Sequence, residues 1–114
     1  MKIMITGCAG FIGMHLSKKL LKKHQVIGID NLNNYYDIKL KKNRLKILRK
    51  NKNFSFFKIN IIDNKKLSYI FKKTKPSIVF HLASEVGVRN SSKRPRSYLS
   101  TNILGFLNIL ENCK

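Results

Sequence analysis

The chain has 114 residues, 43% of them apolar, and carries 24 Lys and Arg against five Asp and Glu, a formal charge of +19. That length bounds it to one domain with a modest core, and the composition excludes a disordered chain. No apolar run approaches the ~20 residues of a membrane span, and the two cysteines make neither a disulfide framework nor a metal-ligand spacing. Residues 2–6 are a short apolar run in which Ile3 and Ile5 alternate, and they read as a strand. It runs straight into Gly7, Gly10 and Gly13. A helix follows, with Phe11, Ile12, Leu16, Leu20 and Leu21 on its expected apolar side. Gln25 to Ile29 is a second strand, ended by Asp30. A polar loop, Asn31 to Tyr36, leads to a basic helix over 37–51 with Ile38, Leu45 and Leu48 as sparse apolar positions. Phe54 to Ile61 reads as a third strand. Asp63 is a candidate N-cap for a helix over 64–73, ended by Pro76. Ser77 to Leu82 lacks clear alternation and reads as a fourth strand buried on both faces. A polar loop over 83–95 precedes a last helix over 96–113.

The order β-α-β-α-β-α-β-α predicts an α/β fold, a doubly wound parallel sheet of the Rossmann type with strand order 3-2-1-4. The ligand crevice of such a sheet lies between strands 1 and 4. A full fold of this kind continues to at least two more strands, so residues 1–114 are expected to be an incomplete dinucleotide-binding domain.

The three glycines gain weight from their surroundings. Gly7 permits a tight turn off the strand, Gly10 lets backbone approach a pyrophosphate, and Gly13 lets the helix pack close to the sheet. The helix N-terminus offers free N–H groups and a positive dipole end to phosphate. Asp30, about 20 residues beyond the glycines, stands where a ribose hydroxyl would lie. Its charge would repel a 2′-phosphate, and no arginine follows in the loop to offset that repulsion, so NAD is expected over NADP.

Thr-Gly-x-x-Gly-Phe-Ile-Gly at residues 6–13, Asp30-Asn31-Leu32 and His81-Leu82-Ala83 resemble the extended short-chain dehydrogenase/reductase family, the NAD-dependent epimerases and dehydratases of nucleotide sugars. Gly28 to Asn33, Tyr35-Tyr36-Asp37, Gly87-Val88-Arg89 and Asn102 to Glu111 are similar to the UDP-glucuronate 4-epimerase branch of the capsular-polysaccharide type. The likeness covers the whole chain, but only about the first third of the usual family length. It implies NAD as cofactor and a UDP-sugar as substrate. It implies cofactor contacts from Gly7, Gly10, Phe11, Ile12, Gly13, Asp30, Asn31, Asn34, Asn60, Ile61, Leu82, Ala83, Ser84 and Asn102, and a substrate contact from Arg89. It also implies a homo-oligomer through the last helix, where Leu99, Ile103, Phe106, Leu107 and Leu110 form an apolar stripe.

The family reaction takes a hydride from sugar C4 and returns it to the other face of a 4-keto sugar, with a tyrosine as base beside a lysine four residues on. That Tyr-x-x-x-Lys pair follows strand 5 in the family and would fall beyond Lys114. The strings Tyr35/Lys39 and Tyr69/Lys73 lie elsewhere in the fold, so no catalytic residue is assigned and the chain is expected to be inactive alone. Some positions depart from the family pattern. Asn60 replaces an acid, Ser84 an alanine and Asn90 a tyrosine, and Glu85 is more like the dehydratase branch.

Two alternatives stand beside this reading: a 4,6-dehydratase segment of the same fold, or a non-enzymatic basic module for an acidic partner. Lysines occur in nearly every helix, and Lys, Asn and Ile share A/T-rich codons, so the charge reads as solvated surface rather than as a nucleic-acid site. Cys8 reads as a small filler in a tight loop, with a redox-sensitive thiol as the sharper idea. His81 reads as a core histidine. Asn102 either approaches the cofactor or ties a loop to the last helix. With no address signal or membrane segment in the sequence, the cytoplasm is the expected location.

Overall fold

The computed structural model describes residues 1–33, 37–85 and 92–114. Strands β1 (Lys2–Thr6), β2 (Gln25–Asp30), β3 (Phe54–Lys58) and β4 (Ile78–His81) form one sheet in the expected order β3-β2-β1-β4. All pairings are parallel, with Ile5 beside Gly28 on one side and Phe80 on the other. The helices are α1 (Phe11–Leu20), α2 (Ile38–Arg49), α3 (Asn64–Thr74), α4 (Pro95–Leu99) and α5 (Gly105–Asn112), with a π turn (Ser100–Leu104) joining the last two. Among the described residues, no helix is long and apolar enough to cross a membrane.

Strand alternation divides the core into two clusters. Ile3, Ile5 and Val26 pack with Leu21, Leu45, Leu48 and Phe54 on the side of α1 and α2. Met4, Ile27 and Ile29 pack with Ile59, Ile61, Leu67, Ile70, Phe71 and Ile109 on the side of α3 and α5. Each such side chain contributes about 1.5–3 kcal/mol on burial, so covering the central strands on both faces holds the sheet together. Asp63 caps α3 as expected, accepting from the Lys66 amide at 3.2 Å, and Lys75 turns left-handed (φ 49°) just before Pro76. Asp37 caps α2 in the same way, through the Lys39 amide at 2.9 Å.

The structure corrects four expectations. Phe11 and Ile12 are exposed because the start of the helix borders a cleft rather than the sheet; α1 faces inward through Gly13 and Ser17, with the expected Leu16 and Leu20 packing against the first cluster. β3 ends at Lys58, where the chain leaves the sheet so that Ile59 and Ile61 can enter the second cluster. β4 is not buried on both faces: register places Ile78 and Phe80 on the α1/α2 side, but those helices pack over β1, β2 and β3. The two side chains remain 41% and 36% exposed. The last helix is interrupted by the π turn, and it buries Gly105, Asn108 and Ile109 rather than its longer apolar stripe. Asn108 donates to the Ile61 carbonyl at 2.9 Å, fixing that face against the end of the β3 connection.

Candidate functional site

The glycine turn forms because the chain must reverse at the end of β1 without blocking the crevice. Gly7 has φ 73°, and its amide donates to the Ile29 carbonyl at 2.7 Å, tying the turn to β2. A Cβ on Gly7 would lie 2.9 Å from the Ala83 amide nitrogen, so side chains are excluded there by both conformation and space. A Cβ on Gly13 would fall on the Gly7 carbonyl oxygen and 2.9 Å from Cys8 Cα. Gly13 is therefore where α1 touches the turn. A Cβ on Gly10 would meet only the Gly7 carbonyl oxygen, at 3.2 Å, and its other side is open to the cleft. The first amides of α1 have no intrahelical acceptor and stand at that opening.

The cleft has a volume of about 550 Å³. It brings together twelve expected site residues: Gly7, Gly10, Phe11, Ile12, Gly13, Asp30, Asn31, Asn60, Ile61, Leu82, Ala83 and Ser84. Asn102 stands apart, in an adjoining hollow with His81 and Phe106. Its amide bridges the backbone of Glu85, accepting from the N–H and donating to the carbonyl, each at 2.8 Å. Asn102 thus ties the loop after β4 to the π turn. Asn34, Tyr35 and Arg89 lie outside the described residues. Tyr69 is exposed on α3, on the far side of the sheet from α1 and α2, and does not line the cleft.

Asp30 is buried at the end of β2. Its Oδ2 accepts from the Ala9 amide at 3.1 Å and its Oδ1 from the Leu32 amide at 2.8 Å. The loop indeed lacks an arginine, but two cations reach the same wall from α2. Lys41 Nζ lies 3.8 Å from Asp30 Oδ1, and Arg44 donates to the Ala9 carbonyl at 3.1 Å. Neither is among the expected site residues, nor are Ile29, Asn33, Asp37, Leu40, Ile59 and Thr101, which also line the cleft. Asn60 Oδ1 accepts from the Ile62 amide at 3.2 Å, leaving its NH₂ group for a ligand.

Thr6 joins the two strands that flank the crevice. Its Oγ1 accepts from the Leu82 and Ala83 amides at 3.0 and 3.1 Å and lies 2.7 Å from His81 Nδ1. With two donors already on the oxygen, the hydroxyl proton goes to Nδ1, which assigns His81 the Nε2–H tautomer. Burial holds this imidazole below its usual pKa, and its ring stacks on Phe106 at 5.4 Å. The expectation of a core histidine holds in part: the ring is tied down but only half-buried. Cys8 is fully buried, and burial, reinforced by the Asp30 carboxylate, pushes its thiol far above the ordinary value, which favours the filler reading over a reactive thiolate. Glu85 is buried with Oε1 accepting from Ser97 at 2.7 Å, while Oε2 has no partner among the described residues.

Residues 4–114 match the family described as GDP-mannose 4,6 dehydratase. The chain is 51% identical over 112 residues to the protein CapI of Staphylococcus aureus, covering 97% of this chain and 33% of that protein. It is 46% identical to a UDP-glucuronate 4-epimerase of Thermodesulfobacterium geofontis, covering 97% and 35%. The crystal structure of a Bacillus cereus UDP-glucuronic acid 4-epimerase, in complex with UDP-glucuronic acid and NAD, superposes with a TM-score of 0.89 at 37% identity. That alignment covers 99% of this chain and 36% of the other. The chain therefore spans about a third of the length of the relatives it matches.

Proposed function

The chain belongs to the GDP-mannose dehydratase-like family of NAD-dependent epimerases, and on that premise we propose that it is the NAD-binding segment of a UDP-glucuronate 4-epimerase. The observation that carries this reading is the juxtaposition of the Asp30 carboxylate with the glycine turn across one cleft. Turn, helix amides and acid suit a pyrophosphate and its adjacent ribose. NAD, when bound, supplies a hydride acceptor. Gly10 and the first amides of α1 would hold the pyrophosphate. Asp30 would accept from the ribose hydroxyls, the Asn60 amide would face the adenine end, and Leu82, Ala83 and Ser84 would border the crevice between β1 and β4. A UDP-sugar as substrate and inversion at its C4 come with the resemblance to UDP-glucuronate 4-epimerases.

Calorimetry of the 114-residue chain is expected to show NAD binding that persists at 0.5 M salt, with NADP weaker. Equal or tighter NADP binding refutes the role given to Asp30. The same preparation is expected to show no turnover of UDP-glucuronate, since no Tyr-x-x-x-Lys pair lines the cleft among the described residues. Measurable epimerisation would overturn that statement. A basic binding module would instead lose its ligand steeply with salt. The distribution of charge does not favour that alternative: exposed lysines occur on α1 and α2 on one side of the sheet and on α3 on the other, with no single stripe among the described residues.

We also propose self-association through the last helix. Leu99, Ile103, Phe106, Leu107 and Leu110 are exposed together, Ile103 by 63%, and β4 is an edge strand carrying the exposed Ile78 and Phe80. Unpaired apolar edges and contiguous apolar faces associate. Repulsion between cationic copies opposes this, but ~0.15 M salt screens it beyond about 8 Å. Light scattering at tens of micromolar in that salt should report dimers or larger species. A monodisperse monomer would refute the proposal.

A further inference from the structure

We infer that Lys41 sets how strongly the cleft discriminates between NAD and a 2′-phosphorylated dinucleotide, an inference that rests on the dinucleotide reading above. Lys41 is only 8% exposed, a burial that lysine reaches when its ammonium has partners. Those partners are the Asn33 amide oxygen at 3.2 Å and Asp30 Oδ1 at 3.8 Å. An ammonium has three donors, so at least one remains for a ligand in the cleft that Lys41 lines. Arg44, one turn along α2, is held against the Ala9 carbonyl at 3.1 Å, with its guanidinium 5.9 Å from the centre of the Phe11 ring.

The acid that should exclude a 2′-phosphate is thus not alone. An isolated carboxylate at the end of β2 repels a phosphate placed on the ribose it reads. Here a buried ammonium sits within ion-pair distance of that carboxylate, and the two side chains are 11% and 5% exposed, so solvent screens the pair little. The ammonium offsets much of the repulsion. Asp30 still favours NAD, because the Ala9 and Leu32 amides hold its carboxylate in place to accept from ribose hydroxyls, which a 2′-phosphate cannot supply. NADP is admitted with a penalty that Lys41 keeps small.

The test is calorimetry with NAD and NADP on the native chain and on Lys41→Met, Lys41→Gln, Lys41→Arg and Lys46→Gln. Lys46 is exposed on the same helix and controls for the general positive field. In Lys41→Met and Lys41→Gln the NADP-to-NAD ratio of dissociation constants should widen at least tenfold, a floor for removing one neutralising charge from a partly buried site. Gln retains a donor for Asn33 and keeps the test open if Met disturbs folding. Lys41→Arg should hold the native ratio, and Lys46→Gln should leave it unchanged. An unchanged ratio in the neutral variants, an equal loss of both ligands, or an equal widening in Lys46→Gln overturns the inference. Native chain that binds neither dinucleotide fails the functional reading instead, before any variant is compared.

Discussion

Gly13→Ala lowers the melting temperature by roughly 12 °C or more, as followed by circular dichroism, and abolishes NAD binding. Two effects of opposite sign compete at this position. Alanine in a helix gains about 1 kcal/mol over glycine from propensity. Against that, its Cβ would fall on the Gly7 carbonyl oxygen and 2.9 Å from Cys8 Cα, backbone on backbone with no flexible side chain to give way. Overpacking of this kind costs roughly 1–3 kcal/mol even where side chains can adjust. A net loss of about 3 kcal/mol is expected here, a large share of the ~5–15 kcal/mol that holds a domain together. Gly10→Ala is the informative contrast. Its Cβ meets only one atom, at 3.2 Å, so the melt should barely move while NAD affinity falls, because the new methyl enters the space a pyrophosphate would take. A Gly13→Ala variant that melts like the native chain, or an equal loss of stability in both variants, would refute the steric role given to Gly13.

Thr6→Val is expected to destabilise by about 3 kcal/mol although it preserves shape. Valine cannot accept from the Ala83 amide or donate to His81 Nδ1, and it removes one of two acceptors from Leu82, whose amide keeps the Thr6 carbonyl at 3.2 Å. Leaving a part-buried donor, the Ala83 N–H, and a part-buried acceptor, His81 Nδ1, unmet costs about 1–3 kcal/mol each. Thr6→Ser retains every bond and should lose under about 1 kcal/mol by the same measure, mainly the buried methyl. The same junction has a pH signature. Burial lowers the His81 pKa in the folded chain, so the unfolded chain binds more protons. The His81 contribution is therefore complete above about pH 6.5 and is lost as pH falls below it. A second proton on the ring would also point at a hydroxyl already committed as donor. Urea melts of the native chain and of Thr6→Val at pH 8 and pH 5.5 check both statements. A deficit in Thr6→Ser as large as in Thr6→Val would show that the bonds are not the cause.

Much of this architecture was legible because local signals agreed. The strand-turn-helix at Gly7 to Gly13, the acid ending β2 and the Asp63 cap each have a backbone reason that survives without tertiary context. Lys41 was not legible in that way, although its spacing held a clue: positions 38, 41, 45 and 48 form one helical stripe, and a lysine sits within it. Composition hid it, since one lysine among so many reads as solvent-facing. The apolar character of Phe11 and Ile12 suggests an inward face, but the first turn of α1 faces the cleft. The burial of β4 was overestimated because an apolar run records what a strand can bury, not what lies over it.

The π turn at Ser100–Leu104 bears on how α4 and α5 can change independently. An α-helix transmits phase: each added residue rotates everything beyond it by about 100°. The wider turn absorbs an extra residue within itself, and here the wide segment contains Asn102, the residue that reaches back to the Glu85 backbone. The stretch before it, with Ser97 on Glu85, answers to the loop that borders the crevice. The stretch after it answers to the sheet through Gly105, Asn108 and Ile109. The bulge uncouples those two demands as a slip joint would. Insertions, deletions or retuned side chains on the loop side can be accommodated there while the sheet-facing half keeps its angular setting.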